Sequence, residues 1–115
     1  MNEIDRERLT DMLDYARKAV SILGSKEDAE VDADVTTLFA LTYAVQVIGE
    51  AAGRVSPEGQ AEFPTIAWRK IVGMRNRLAH GYSDNQTAII VGTVRTDLPL
   101  LIDILEDARV EDDTP

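Results

Sequence analysis

Cysteine is absent from this chain, and histidine occurs once, at position 80. The first absence excludes a disulfide framework and a thiolate zinc site. The second excludes a multi-histidine metal site within one chain, so no metal or other cofactor is expected. Proline is sparse: of the four, only Pro64 and Pro99 fall inside the chain away from expected loops or ends, and with seven glycines this favours long regular elements. No apolar segment follows the acidic opening Met1-Asn2-Glu3-Ile4-Asp5. No run approaches the ~20 apolar residues of a membrane span, which makes the cytoplasm the expected compartment. Period-two alternation is missing as well, so strands are not expected.

What is present is 115 residues, 44% of them hydrophobic, enough for one domain that buries a core without staples. The net charge of −9 excludes a protein whose whole surface coats nucleic acid. It suits either plain solubility or an acidic body with one basic patch, directed at a short stretch of RNA or a basic partner.

Helical periodicity organises the chain. Leu9, Leu13, Ala16, Val20 and Leu23 predict a first helix from about Asp5 to Gly24, the glycine being a natural stop. The acidic segment from Ser25 to Asp34 reads as a loop or an exposed helical lead-in. Leu38, Leu41, Val45, Ile48, Ala52 and Val55 form an uninterrupted seam over about Val35 to Val55. Phe39, Tyr43 and Val47 widen it, either as a broad core face or as a surface for a second copy. Glu50 sits off the seam, where it pairs with an arginine of the basic segment described next or reaches solvent. Ser56 to Gln60 reads as a turn, and Pro64 suits the first turn of a third helix running to about His80 or Gly81. A fourth helix, capped by Asp84, Asn85 or Thr87, should run to about Ala108 with a kink near Asp97 imposed by Pro99. The expected architecture is all-α, an antiparallel bundle of about four main helices over residues 1–110. Residues 111–115 form an acidic, disordered tail.

The third helix carries the chemistry. Ala67, Ile71, Met74 and Leu78 share one stripe, and Arg69, Gly73, Asn76 and His80 the roughly opposite one. From Pro64 to Tyr82 there are four basic residues and no acidic one. Asn76 stands four residues before His80, so its amide can orient the imidazole. Gly73 on the same face would let a backbone or ligand approach closely. Arginine holds a phosphate bidentately, and histidine titrates near neutrality, so the pair is competent for phosphodiester cleavage using the RNA 2′-hydroxyl as nucleophile. Arg75 nevertheless projects roughly 140° from His80 on an ideal helix, which leaves one chain short of a complete site. A helix-end histidine that satisfies backbone carbonyls is the alternative for His80. Trp68 reads as a core anchor ahead of a base-stacking platform, and Arg69 and Arg77 bind phosphate or form surface ion pairs.

Arg75-Asn76-x-x-x-His80-x-Tyr82, extended upstream through Trp68-Arg69-Lys70-Ile71-Val72-Gly73-Met74 and joined by Ile48-Gly49-Glu50-Ala51-Ala52, resembles the HepT-like branch of the HEPN superfamily. The length and helical layout fit nearly the whole chain. The resemblance implies a toxin that acts as a metal-independent endoribonuclease, with Arg75 and His80 catalytic, Asn76 supporting, and the paired motifs of a homodimer lining one cleft. It further implies neutralisation by an MNT-type nucleotidyltransferase antitoxin that adenylylates Tyr82, placing phosphate beside the site. The aromatic residue that often follows this tyrosine in the family is replaced by Ser83-Asp84-Asn85. The alternative is a non-catalytic helical nucleotide-binding or partner module of a nucleotidyltransferase complex.

Overall fold

The computed structural model of the chain describes residues 1–80 and 86–111, the side chains of Ala79 and His80 excepted. The expected Gly81 stop, Tyr82, the Asp84 and Asn85 caps and the tail residues 112–115 lie outside the described residues.

Helix α1 (Glu3–Leu23) opens on Asn2, whose side chain accepts from the Asp5 N–H at 2.7 Å. It ends at Gly24, whose φ of 53° is a conformation glycine adopts without a Cβ penalty. Leu9, Leu13, Ala16 and Leu23 are buried as the seam requires; Met12 and Ala19 join them, while Val20 is only partly buried. The acidic segment that follows folds into helix α2 (Asp28–Ala33), with Glu30 accepting from the Glu27 N–H at 3.2 Å and Val31 fully buried.

Helix α3 (Val35–Gly53) starts on Asp34, which accepts from the Thr36 and Thr37 N–H groups and the Thr37 hydroxyl. Its 19 residues are long and apolar enough, by length and composition, to cross a membrane, although no such run was expected from the sequence. A core helix meets the same description, and Leu41, Ala44, Val45, Ile48 and Ala52 are the centre of the core here. The expected turn at Ser56 to Gln60 is instead a short helix, α4 (Pro57–Ala61), capped by the Ser56 hydroxyl on the Gly59 N–H at 3.1 Å. Asp5 is buried and accepts from both the N–H and the hydroxyl of Ser56. The hydroxyl bond, then the backbone bond, hold its carboxyl below the usual carboxylate range against the opposing effect of burial. This tie joins the start of α1 to the end of α3, so the two run antiparallel.

Helix α5 (Trp68–His80) begins later than Pro64 suggested. Phe63 and Ile66 are buried in the connecting segment, and the Trp68 indole donates to the Phe63 carbonyl at 3.0 Å, so the chain packs before it coils. Trp68 is thereby a partly buried anchor of that connection. Helix α6 (Gln86–Gly92), a π-helical turn (Thr93–Asp97) and helix α7 (Leu98–Asp107) make up the fourth helical run. Thr87 lies inside α6 rather than capping it, its hydroxyl donating to Asp32 at 2.7 Å. The break before Pro99 takes the form of the π turn: proline has no N–H, its ring crowds the carbonyl four residues back, and a wider turn relieves both. Arg17 on α1 grips Glu106 at 2.6 Å and Glu111 at 2.8 Å, so Glu111, assigned to the tail by sequence, is held against the bundle. The architecture is all-α, with no strand among the described residues.

Candidate functional site

On α5, Met74 and Leu78 are buried and Ile71 partly so, as the inner stripe requires, whereas Ala67 precedes the helix and is exposed. Arg69, Arg75, Asn76 and Arg77 are exposed. His80 is the last residue of the helix.

Within the chain the close helix approach is at Gly49, and among the described residues no backbone of the bundle approaches Gly73. A Cβ on Gly49 would stand 2.6 Å from the Cβ of Arg75 and 3.1 Å from the Ile71 carbonyl oxygen. A Cβ on Gly53 would meet the Val72 methyls at 3.8 Å, so α5 runs antiparallel to α3 with the stem of Arg75 resting on Gly49. Around Gly73 a Cβ would meet nothing within 4 Å, because its face of α5 looks away from the bundle. Gly73→Ala is therefore expected to stabilise the protein by about 1 kcal/mol, from helix propensity alone. Urea unfolding should show a raised midpoint with an unchanged slope.

Arg75 Nη1 lies 3.5 Å from the Asn76 side-chain oxygen, which places that amide beside the arginine. Arg69 and Arg77 have no partner among the described residues, while Lys70 crosses to Asp97 on the π turn at 3.0 Å. Glu50 does not pair with the basic helix. It binds Arg54, one turn along α3, at 2.9 Å, because both are exposed on the outer face. Such a pair is worth about 0.3–0.5 kcal/mol. Among the described residues no group of three histidine, cysteine, aspartate or glutamate side chains is placed to hold a metal ion.

Two features were not assigned from sequence or were left open there. A slot of about 120 Å³ separates α5 from α7, with Val45, Ile48, Ile71, Met74, Leu98 and Leu101 among its walls and Lys70 and Asp97 at its rim. Its only sequence signal was Pro99, which marks the break that shapes one wall. On α3, Val35, Phe39 and Tyr43 form an outward row, 57%, 67% and 59% exposed, with the Tyr15 ring edge-on to Tyr43 at 6.0 Å. Phe39 and Tyr43 therefore do not widen the core face.

An all-α bundle displaying Arg-x-x-x-x-His on an acid-free cationic helix defines a HEPN-type domain. The family model for HepT-like ribonucleases matches residues 12–108, and the chain belongs to that family. It is similar to the "Probable ribonuclease HepT" of Thermococcus cleftensis, 33% identical over 76 residues, 66% of this chain and 69% of the relative. It is also similar to a "Putative RNase" of Methanocaldococcus jannaschii, 26% identical over 91 residues, 79% of this chain and 84% of the relative. No solved structure matches the chain.

Proposed function

We propose that this protein is a cytoplasmic endoribonuclease toxin that cleaves RNA without a metal ion. The observation that supports it most is the placement of Arg75: its stem rests on Gly49 while the side chain stays exposed, on a helix that presents four cations and no acid. RNA carries its own nucleophile, so the protein needs to remove the 2′-hydroxyl proton, neutralise the phosphorane and protonate the leaving 5′-oxygen. His80 moves the protons and Arg75 holds the non-bridging oxygens, with Asn76 steadying the arginine and Arg69 and Arg77 holding flanking phosphates. Because Arg75 and His80 diverge on one helix, the working site is a cleft between two copies.

The outward row of Val35, Phe39 and Tyr43 is a surface for that second copy, since it lies on α3, the helix whose Gly49 seats the stem of Arg75. Phe39→Asp changes two symmetry-related contacts at once, and each buried phenyl contributes about 2 kcal/mol. Dimerisation should weaken by at least ~100-fold, and cleavage should fall with it. Sedimentation of the variant at the wild-type mass would count against this face.

A nucleotidyltransferase antitoxin that adenylylates Tyr82 would silence the site by adding charge and bulk where RNA must enter. The test of the reading is cleavage of a broad RNA panel in excess EDTA by wild-type protein shown by mass spectrometry to carry no adenylate. Cleavage that His80→Ala and Arg75→Ala both lack supports it. Absence of cleavage by wild type leaves a nucleotide-binding or partner module as the function.

A further inference from the structure

The slot between α5 and α7 has the form of a nucleobase pocket. Its walls are mostly aliphatic, and its polar lining is Thr65, Thr93 and the Lys70–Asp97 pair, whose charged groups meet at 3.0 Å. A protein site that takes a base out of its stack holds the ring between apolar side chains and reads its edge with a few polar groups. An apolar cavity of about 150 Å³ accepts benzene, so about 120 Å³ open at one side fits one six-membered ring more closely than the fused rings of a purine. The ion pair is layered. Asp97 is 28% exposed and Lys70 59%, so the carboxylate lies inside, where it can accept an N–H from a base edge, and the ammonium lies outside.

Charge outside the slot fits the same occupant. Lys70, Met74 and Arg77 succeed one another at helical spacing along one edge of α5, and Arg77 is exposed with no partner among the described residues. Arg77 stands about 10 Å beyond Lys70 along the helix axis, and His80 about 5 Å further. A nucleotide with its ring against Met74 would thus direct its phosphate towards Arg77, about one turn further along the same edge.

We propose that this slot is a subsite for a single pyrimidine base of the RNA strand, with its phosphate on Arg77, giving RNA binding a preference for a strand that carries a pyrimidine at that position. The proposal rests on the ribonuclease reading of α5, but its test needs no turnover. The chain has three methionines, of which Met74 lines the slot and Met12 is buried in the core. Protein labelled with 13C at the methionine methyls is titrated with uridine and cytidine 5′-monophosphates, with adenosine 5′-monophosphate, and with ribose 5-phosphate. The expected result is a saturable shift of the Met74 signal with the pyrimidine nucleotides, weaker by tenfold or more with the purine nucleotide and with ribose 5-phosphate, and no shift of Met12.

Ala67 is exposed and lines the mouth, so Ala67→Trp plugs the slot without entering the core. This variant should keep the Met12 signal and lose pyrimidine affinity by at least tenfold. A silent Met74, an equal response to ribose 5-phosphate or to the purine, or full binding by folded Ala67→Trp overturns the subsite. Those outcomes together with intact RNA cleavage would leave the ribonuclease reading standing. A pyrimidine-specific Met74 shift without any cleavage would do the reverse.

Discussion

Arg75→Ala and His80→Ala proteins are expected to fold normally and to cleave RNA about 10²- to 10⁴-fold more slowly than wild type. Folding should survive because the part of Arg75 that packs on Gly49 is its Cβ, which alanine retains, and the rest of the side chain is exposed. Surface changes of this kind stay within about 0.5 kcal/mol. The rate loss at position 75 is that of a charge held against the phosphorane. Arg75→Lys should recover only part of it, since an ammonium cannot bind two phosphate oxygens in a fixed fork. At position 80 the loss is that of proton transfer. Initial rates in EDTA, beside urea melts of each variant, separate the two readouts. Unchanged rates in folded protein would remove both residues from the chemistry.

Gly49→Leu should be the most damaging single change away from the motif. Even the first carbon of the new side chain collides with the Arg75 Cβ at 2.6 Å and the Ile71 carbonyl at 3.1 Å, and neither neighbour is a flexible chain end. The helices must separate, which costs about 3 kcal/mol on the scale of overpacked cores. For a domain near this size that lowers the melting temperature by about 10 °C or more. Gly49→Ala meets the same contact with a smaller group, and its gain of about 1 kcal/mol in helix propensity partly offsets the strain. Activity should fall in both, because the displaced element carries Arg75. Gly73→Ala, an identical substitution on α5 with open space around it, should keep full activity. Thermal melts and cleavage rates of the three proteins decide the matter. A Gly49→Leu protein as stable as wild type would mean that α3 and α5 do not touch as described.

The long helices were legible because their apolar residues repeat with a strong period: the seams of α1 and α3 and the inner stripe of α5 are largely buried as the spacing requires. Pro99 likewise announced the break ahead of α7. The short helices are weakly marked, α2 only as one of two readings and α4 as a turn, because they bury one residue each, Val31 and Gly59, too few to make a pattern. Their end signals were present all the same: Glu27 with Glu30, and Ser56 followed by Pro57. Pro64 misled because proline marks a helix start only when nothing else claims the chain, and here the Phe63 carbonyl is engaged by Trp68. The use of Gly49 for the close helix contact has a related cause. Glycine permits close approach on any face, and only the packing of α5 on α3 shows which glycine is used. The partner of Glu50, one turn away at Arg54, follows the i,i+4 spacing of the exposed face of α3.

The contact between Arg75 and Gly49 also bears on the entropy of RNA binding. An arginine on an open surface has about 2 kcal/mol of rotamer freedom to lose when it is fixed on a phosphate. Here the Arg75 Cβ and Cγ are already confined, lying 2.6 and 3.5 Å from where a Gly49 side chain would begin. Only the outer torsions remain to be ordered. Restricting the base of a side chain while its tip stays mobile would let the guanidinium follow a bound phosphate at little further entropic cost. Among the arginines of α5, Arg75 should therefore bind phosphate with the smallest entropy loss.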